Sequence, residues 1–181
     1  MLRARLIPAF ALLVSASAWA QSVEDIPNYI EYSPDFASAG QPSEAELALA
    51  RDAGFERVVY IAFSTDRNAL EGEDRIVRDL GMDYVQIPVV WDAPTRQDYE
   101  SFAAVMAQGP ATKTLLHCQV NMRASAFAFL YRVVEQGVPV AAAKADMNRI
   151  WEPNETWRNL IFGVLDANGI SPDCETCDWG D

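Results

Sequence analysis

The chain has 181 residues, of which 50% are hydrophobic and 22% are charged, and it contains no internal repeat or low-complexity tract. This composition excludes a disordered or fibrous protein and favours a single domain, since about 160 residues can bury roughly 70% of the unfolded surface. The formal net charge is −12, from 14 Lys+Arg and 26 Asp+Glu. So acidic a surface repels phosphate backbones and anionic lipids, and the sequence therefore predicts no nucleic-acid partner.

The first twenty residues predict a secretory signal peptide. Arg3 and Arg5 precede a short apolar run, and the segment ends in Ala18-Trp19-Ala20, a pattern typical of cleavage before Gln21. The apolar run is shorter than the ~20 residues that span a bilayer. We therefore expect export to a bacterial periplasm, with no membrane anchor after cleavage.

Residues 21–181 alternate between strand and helix patterns and contain no linker long enough to divide them. A capping box at Ser43 and Glu46 marks the first helix start. The predicted elements, in chain order, are an edge strand near 29–32, a helix at 43–53, a strand at 58–62, a helix at 73–80, a strand at 84–89, a helix at 95–108, a strand at 114–117, and helices at 124–136, 141–150 and 154–167. This alternation predicts one domain with a three-layer α/β fold and a mainly parallel central sheet.

The most informative segment joins the predicted strand 114–117 to the apolar helix that follows it. Function in such sheets lies where the carboxyl ends of strands meet helix N-termini, and Cys118 occupies that junction. Free amides and the helix dipole stabilise a thiolate there and form an anion-binding cradle. The planar guanidinium of Arg123 matches two oxygens of a tetrahedral anion. Asn121 takes a position that predicts a positive φ.

We call residues 118–123 the cradle loop. The alternative for Cys118 is a buried structural cysteine, and His117, the only histidine, either tunes the thiol or is a hydrogen-bonded loop residue. With one histidine and no clustered ligands, neither a Ser-His-Asp triad nor a metal centre is predicted, and no cofactor motif is present. The predicted substrate-binding loop around Cys118 and Arg123 consists of His117, Gln119, Val120, Asn121, Met122, Ala124 and Ser125.

The His-Cys pair followed by Arg123 and Ser125 resembles the signature of the cysteine-dependent protein phosphatases. More closely, the chain is similar to the bacterial beta-lactamase-hydrolase-like phosphatase-like domain, through Ala39-Gly40-Gln41-Pro42, Ile87-Pro88-Val89 and Pro94-Thr95. The resemblance covers about 32–150. It implies a protein-tyrosine-phosphatase-like fold, Cys118 as nucleophile, Arg123 with the loop amides as oxyanion binder, and a hydrogen bond from Ser125 to the sulfur.

One departure from that signature concerns the length of the loop. Four residues separate Cys118 from Arg123 where the phosphatases have five, and Asn121 replaces the usual glycine. Four residues are also typical of rhodanese-type sulfurtransferases, whose cysteine carries a persulfide. The spacing therefore leaves the reaction open between phosphoryl and sulfur transfer.

A phosphatase also needs a general acid for the leaving oxygen. The resemblance implies Asp92, which follows a predicted strand and precedes a helix. The alternative is that Asp92 is a solvated loop carboxylate, with Asp66 and Glu71 as further acid candidates. Trp151 either forms a wall of the pocket or packs between helices.

The acidic tail, about 171–181, contains Cys174 and Cys177. A close cysteine pair in an oxidising compartment predicts a local disulfide, and the alternative is a sulfur-relay partner for Cys118.

Three functional hypotheses follow. The first is an exported cysteine-dependent phosphatase-like hydrolase that forms a phosphocysteine. The second is a rhodanese-like sulfurtransferase that uses a Cys118 persulfide, and the third is a non-catalytic anion-binding module. The expected partner is a phosphorylated or sulfur-carrying small molecule or protein.

Overall fold

A computed structural model describes residues 21–108 and 112–180. The predicted signal peptide, residues 1–20, lies outside the described residues.

Five short strands form one sheet in the order β1-β2-β5-β3-β4. β1 pairs antiparallel with β2, and the other three pairings are parallel. The strands are β1 (Ile30–Ser33), β2 (Phe36–Ala39), β3 (Arg57–Tyr60), β4 (Asp83–Gln86) and β5 (Thr114–His117). The predicted mainly parallel α/β sheet is confirmed, with β2 as a strand that the sequence analysis missed.

Helices cover both faces of this sheet. One apolar core lies between the sheet and α1 and α2, and a larger core lies between the sheet and α3 to α6. The helices are α1 (Glu44–Asp52), α2 (Glu73–Asp79), α3 (Arg96–Met106), α4 (Met122–Val134), α5 (Val140–Asn148) and α6 (Glu155–Ala167). This arrangement gives the three layers that the sequence predicted.

The central strands are apolar on both faces because both faces are covered by helices. In β5, Leu115 belongs to the smaller core and Leu116 to the larger, and Val58 and Val59 of β3 divide in the same way. Successive side chains of a strand point to opposite faces, so each strand contributes to both cores.

The helix starts follow local capping chemistry. Ser43 with Glu46, and Thr95 with Asp98, form reciprocal capping boxes at α1 and α3. α4 begins at Met122, two residues before the predicted start, and its N-cap Asn121 makes no side-chain cap hydrogen bond.

The strand register aligns three carboxyl ends at one edge of the sheet. His117 at the end of β5 pairs with Ala39 of β2 on one side and with Tyr60 of β3 on the other. The segments that follow β2, β3 and β5 therefore leave the sheet at the same level and meet around Cys118.

Candidate active site

The cradle loop connects the end of β5 to the first turn of α4. Cys118 is a free thiol and is only 1% exposed. Asn121 precedes α4 with φ 67°, the left-handed conformation that the sequence predicted and that Asn tolerates better than most residues. The nucleophile candidate thus lies at the positive end of α4, the most deeply buried of the described helices.

The outer side of the cradle loop is held by two N-terminal segments. The carbonyl of Gln119 accepts a hydrogen bond from the backbone N–H of Gln41 at 3.0 Å, and the carbonyl of Val120 accepts one from Asn28 Nδ2 at 3.1 Å. Asn121 Nδ2 donates to the Asn28 carbonyl at 2.6 Å. The amides of Gln119 and Val120 donate no hydrogen bond to another described residue. Because these two carbonyls are bound by the N-terminal segments and the two amides are not, the loop has free N–H donors of the kind that anion binding requires.

Arg123 extends from the first turn of α4 and is 9% exposed. Its guanidinium carbon lies 5.6 Å from the centre of the Trp91 ring, and its Nη2 is 3.9 Å from Asp66 Oδ2. The Nε donor has no hydrogen-bond partner among the described residues. The guanidinium therefore has donors available for the oxygens of an anion.

A cavity of about 270 Å³ opens over the cradle loop. Its walls combine polar groups of the loop with three apolar side chains. The lining residues are Trp91, Cys118, Gln119, Val120, Met122 and Arg123. The structure thus brings the predicted nucleophile and the predicted oxyanion binder into one cavity.

His117 lies behind the nucleophile and is fully buried. Its Nε2 is 3.1 Å from Glu73 Oε1 but lacks hydrogen-bond alignment, and neither ring nitrogen has a hydrogen-bond partner among the described residues. Its ring stacks on Tyr60 with centroids 4.7 Å apart. Burial raises the pKa of Tyr60, and the nearby Glu73 carboxylate raises it further, so the phenol stays neutral. The sequence analysis missed Glu73, since the local sequence 71–74 is typical of an exposed first helical turn.

The two acid candidates differ in their placement. Asp92, the residue that the resemblance implied, is exposed on the loop after β4, and it forms no hydrogen bond or ion pair within the described residues. Asp66, on the loop after β3, is within 3.9 Å of Arg123, and its Oδ2 is buried without a hydrogen-bond partner. Glu71 is exposed. The structure therefore brings Asp66, and not Asp92, into contact with the cradle loop.

Ser125 does not contact the sulfur in the way that the resemblance implied. Its hydroxyl donates to the Met122 carbonyl at 3.1 Å and accepts from Trp151 Nε1 at 3.2 Å. Trp151 also packs on Trp91 and Trp157, and Trp157 Nε1 donates to the Trp91 carbonyl at 3.0 Å. This tryptophan cluster connects the loop after β4 to the start of α4. Trp151 therefore has a packing role that also fixes Ser125.

Cys174 and Cys177 are joined in a disulfide. The tail beyond it places Trp179 against Phe129 of α4 and Phe162 of α6. None of these contacts involves the cradle loop, so the structure provides no contact through which the tail pair could exchange sulfur with Cys118.

The described ranges, 21–108 and 112–180, contain no group of three or more His, Cys, Asp or Glu side chains arranged to hold a metal ion. Across the same ranges, none of the helices has the length and apolarity needed to span a membrane.

Comparison with known families identifies the class of protein that this fold and site define. Residues 3–159 match the PTP-NADK family, described as a DSP-PTPase phosphatase fused to NAD+ kinase. Because the match covers most of the chain, the chain belongs to this family, and the predicted relationship to the cysteine-dependent phosphatases is confirmed. No curated protein matches the chain significantly.

Solved structures give the same result for the fold. A DUF442 protein from Shewanella putrefaciens CN-32 is 31% identical, with 81% of this chain and 96% of that chain covered and a TM-score of 0.75. TpbA from P. aeruginosa is 22% identical over 85% of this chain and 98% of its own, with a TM-score of 0.60. The catalytic domain of the PP-IP phosphatase SIW14 from S. cerevisiae is 10% identical over 80% and 94%, with a TM-score of 0.62. The predicted protein-tyrosine-phosphatase-like fold is therefore confirmed.

Proposed function

We propose that this chain hydrolyses phosphoric monoesters through a covalent phosphocysteine at Cys118. One observation above all supports the proposal. The buried thiol lies at the N-terminus of α4 and shares a single cavity with Arg123, while the carbonyls of the intervening loop are bound on the outside. A pentavalent phosphoryl group needs this combination of an activated nucleophile and converging donors.

The reaction has two steps. In the first, the Cys118 thiolate attacks phosphorus, the S–P bond forms, and the bond from phosphorus to the ester oxygen breaks while a carboxylic acid protonates that oxygen. In the second, water attacks phosphorus, the S–P bond breaks, and the same carboxylate accepts the proton from water. The loop amides and Arg123 stabilise the equatorial oxygens in both transition states.

We assign the acid to Asp66. Its side chain is partly buried and lies beside Arg123, with a buried oxygen that has no hydrogen-bond partner in the described part of the chain. Asp92 is exposed and forms no such contact. A general acid has to come within hydrogen-bond reach of the leaving oxygen, and Asp66 already contacts Arg123 of the cradle loop.

The cavity favours an aryl or otherwise apolar monoester. Trp91, Val120 and Met122 supply apolar walls, whereas Arg123 is the one cationic side chain among the lining residues. Polyphosphorylated substrates need several cationic contacts. A cysteine-to-serine variant of TpbA, which is 20% identical to this chain, has been solved in complex with pTyr. Phosphotyrosine is accordingly the first substrate to test.

The test compares the wild-type protein with Cys118→Ser, Asp66→Asn and Asp92→Asn in the hydrolysis of an aryl phosphate. We expect Cys118→Ser to abolish phosphate release and Asp66→Asn to lower kcat by about 100-fold to 10⁴-fold. Asp92→Asn is the matched control and should stay within about threefold of wild type. Mass spectrometry of acid-quenched wild-type enzyme should show the added phosphoryl group on the peptide that contains Cys118. Phosphate release that survives in Cys118→Ser would refute the proposal.

The four-residue spacing between Cys118 and Arg123 favours one alternative, sulfur transfer through a Cys118 persulfide. Sulfur transfer from thiosulfate to cyanide needs no general acid, so Asp66→Asn would leave thiocyanate formation intact. Cys118-dependent thiocyanate without phosphate release would establish this alternative. Anion binding without turnover in either assay would instead indicate a non-catalytic module.

We also propose that the protein is exported to the periplasm. The disulfide between Cys174 and Cys177 supports this, because such bonds persist in oxidising compartments. The N-terminal sequence of the protein recovered from the periplasmic fraction should begin at Gln21. A cytoplasmic protein that retains Met1 would contradict the proposal.

A further inference from the structure

A second cavity adjoins the candidate active site on the outer side of the cradle loop. It has a volume of about 500 Å³, against about 270 Å³ for the cavity over Cys118. Gln119 and Val120 line both cavities, so the two share this part of the cradle loop as a common wall. The mechanism above uses the smaller cavity only. The part of a substrate that extends beyond a phosphoryl group over Cys118 therefore has the larger cavity next to it.

The other walls of the second cavity come mainly from three parts of the fold. The segment that follows β2 contributes residues 41–43, α1 contributes Glu46, and the loop between β3 and α2 contributes residues 68–71. The backbone N–H of Gln41 donates to the Gln119 carbonyl at 3.0 Å, so the first of these segments is joined directly to the cradle loop. A backbone contact thus holds the second cavity in place beside the first.

The charge of the second cavity is opposite to that of the first. Glu46 and Glu71 are the charged side chains among its described lining residues, and neither forms an ion pair with another described residue. Glu46 is half-buried and its Oε2 accepts hydrogen bonds from Ser43, whereas Glu71 is exposed. The smaller cavity has Arg123 as its charged lining side chain. A ligand that occupies both cavities is therefore matched best when it has an anionic group beside a cationic one.

A neutral acceptor in the same walls also lacks a donor. Gln41 Oε1 is buried and has no hydrogen-bond partner among the described residues. Nε2 of the same amide donates to Glu73 Oε1 at 3.0 Å and to the Pro42 carbonyl at 3.3 Å, and these two contacts fix the orientation of the amide. A buried acceptor without a partner costs free energy. An N–H donor of a cationic ligand is the kind of group that would satisfy it.

We propose that Glu46 and Glu71 are specificity-determining residues that bind a positively charged group beside the phosphoester. The preferred substrate is then a phosphotyrosine peptide with Arg or Lys next to the phosphotyrosine. Arg fits best, because its planar guanidinium has five N–H donors for carboxylate and amide oxygens. The inference rests on the proposed function in taking the cradle loop as the phosphoryl site, and it adds the second cavity as the site that selects among substrates.

The experiment measures kcat/KM for three phosphotyrosine peptides that differ only in the residues on either side of the phosphotyrosine, which are Arg, Ala or Glu. We expect wild type to prefer the Arg peptide to the Glu peptide by about tenfold at about 0.15 M salt. Glu46→Gln and Glu71→Gln should each lower this ratio by about two- to fivefold, the effect of one partly exposed ion pair. Glu46→Gln retains an acceptor for the capping box of α1. A general loss of activity would not change the ratio, since both peptides meet the same enzyme.

Glu44→Gln is the matched control, because it removes one carboxylate from the same helical turn of α1. Glu44 is exposed and is not among the described lining residues of the second cavity. Its Arg-to-Glu ratio should stay within about twofold of wild type. If Glu44→Gln lowered the ratio as much as Glu46→Gln, the preference would come from the net charge of −12 and the proposal would be overturned. Equal kcat/KM of wild type for the Arg and Glu peptides would overturn it as well.

Failure of this inference can be distinguished from failure of the proposed function. The same peptides are titrated calorimetrically into Cys118→Ser, alone and combined with Glu46→Gln or Glu71→Gln, so that dissociation constants are obtained without turnover. If wild type releases no phosphate but the ratio of dissociation constants depends on the two glutamates, the proposed function fails and this inference stands. If phosphate release depends on Cys118 while neither ratio changes in the glutamate variants, the inference fails and the proposed function stands. Absence of both phosphate release and peptide binding would overturn both.

Discussion

Gly40 is the position where the structure predicts the sharpest effect of a single added methyl group. A Cβ at this buried residue would lie 2.9 Å from the Pro27 carbonyl oxygen and 3.1 Å from the Gln119 carbonyl oxygen. Both are backbone atoms, so neither can move away by rotating a side chain. The φ of Gly40 is not in the left-handed region, and the cost of Gly40→Ala is therefore steric. Overpacking of this kind costs about 1–3 kcal/mol.

For a chain of this size, 1 kcal/mol changes Tm by about 2–4 °C, so Gly40→Ala should lower Tm by roughly 2–12 °C. Displacement of the Gln119 carbonyl would also misalign the cradle amides, and we expect kcat/KM for an aryl phosphate to fall by about tenfold or more. The Tm is measured by thermal circular dichroism, and kcat/KM is measured at a temperature well below Tm.

Gly163→Ala provides the matched control for the same substitution. Gly163 is exposed within α6, and a Cβ there meets nothing within 4 Å. Because alanine favours helix by about 0.8–1.0 kcal/mol over glycine, this variant should raise Tm by about 2–4 °C without affecting activity. If Gly40→Ala matched wild type in both Tm and kcat/KM, the close approach at the cradle loop would have no energetic consequence and the reasoning would be refuted.

The remaining predictions concern pH, the tail and the tryptophan cluster. Burial raises the pKa of Tyr32 to about 12, from 10.0, so its contribution to stability is complete below pH 10 and is lost as the pH rises through about 12. Tyrosinate absorbance should therefore rise together with unfolding, and a rise near pH 10 in the folded protein would contradict this. Replacing Cys174 and Cys177 by serine should lower the free energy of unfolding in urea by at most about 2 kcal/mol and leave activity unchanged, since the disulfide closes a loop of three-residue separation. An activity loss would indicate a redox role for the tail. Trp151→Phe removes the donor to Ser125 and should cost about 1 kcal/mol in the same urea assay, with an unchanged midpoint as the refuting result.

The parts of the fold that the sequence predicted depend on local chemistry. The starts of α1 and α3 follow from capping residues within three positions of one another, Ser43 with Glu46 and Thr95 with Asp98. β2 was missed because Phe36–Ala39 is short and rich in small residues, so that its strand conformation depends on pairing with β1 and β5. The pairing with β5 joins residues far apart in the sequence, which no local pattern indicates.

The residues of the site also differ in whether local sequence or distant contacts determine their place. Cys118 and Arg123 were predicted because one strand–loop–helix junction contains both. Asp66 and Glu73 belong to other segments, and their contacts with Arg123 and His117 arise from the order of strands in the sheet. A polar acidic segment gives no sequence signal for which of its carboxylates is buried, so only the structure shows the contacts of Asp66 and Glu73.

The short cradle loop gives these distant contacts a further importance. With four residues between Cys118 and Arg123, the loop contains few backbone dihedral angles that can adjust its amides, and Asn121 already adopts a positive φ. Its carbonyls are held instead from outside, by Asn28 and Gln41. The proposed anion site thus consists of the cradle loop and two supporting segments more than 75 residues away in the chain. Replacement of the Asn28 side chain should therefore affect activity through cradle geometry before it affects the fold, because it removes a support of the loop and Asn28 belongs to neither apolar core.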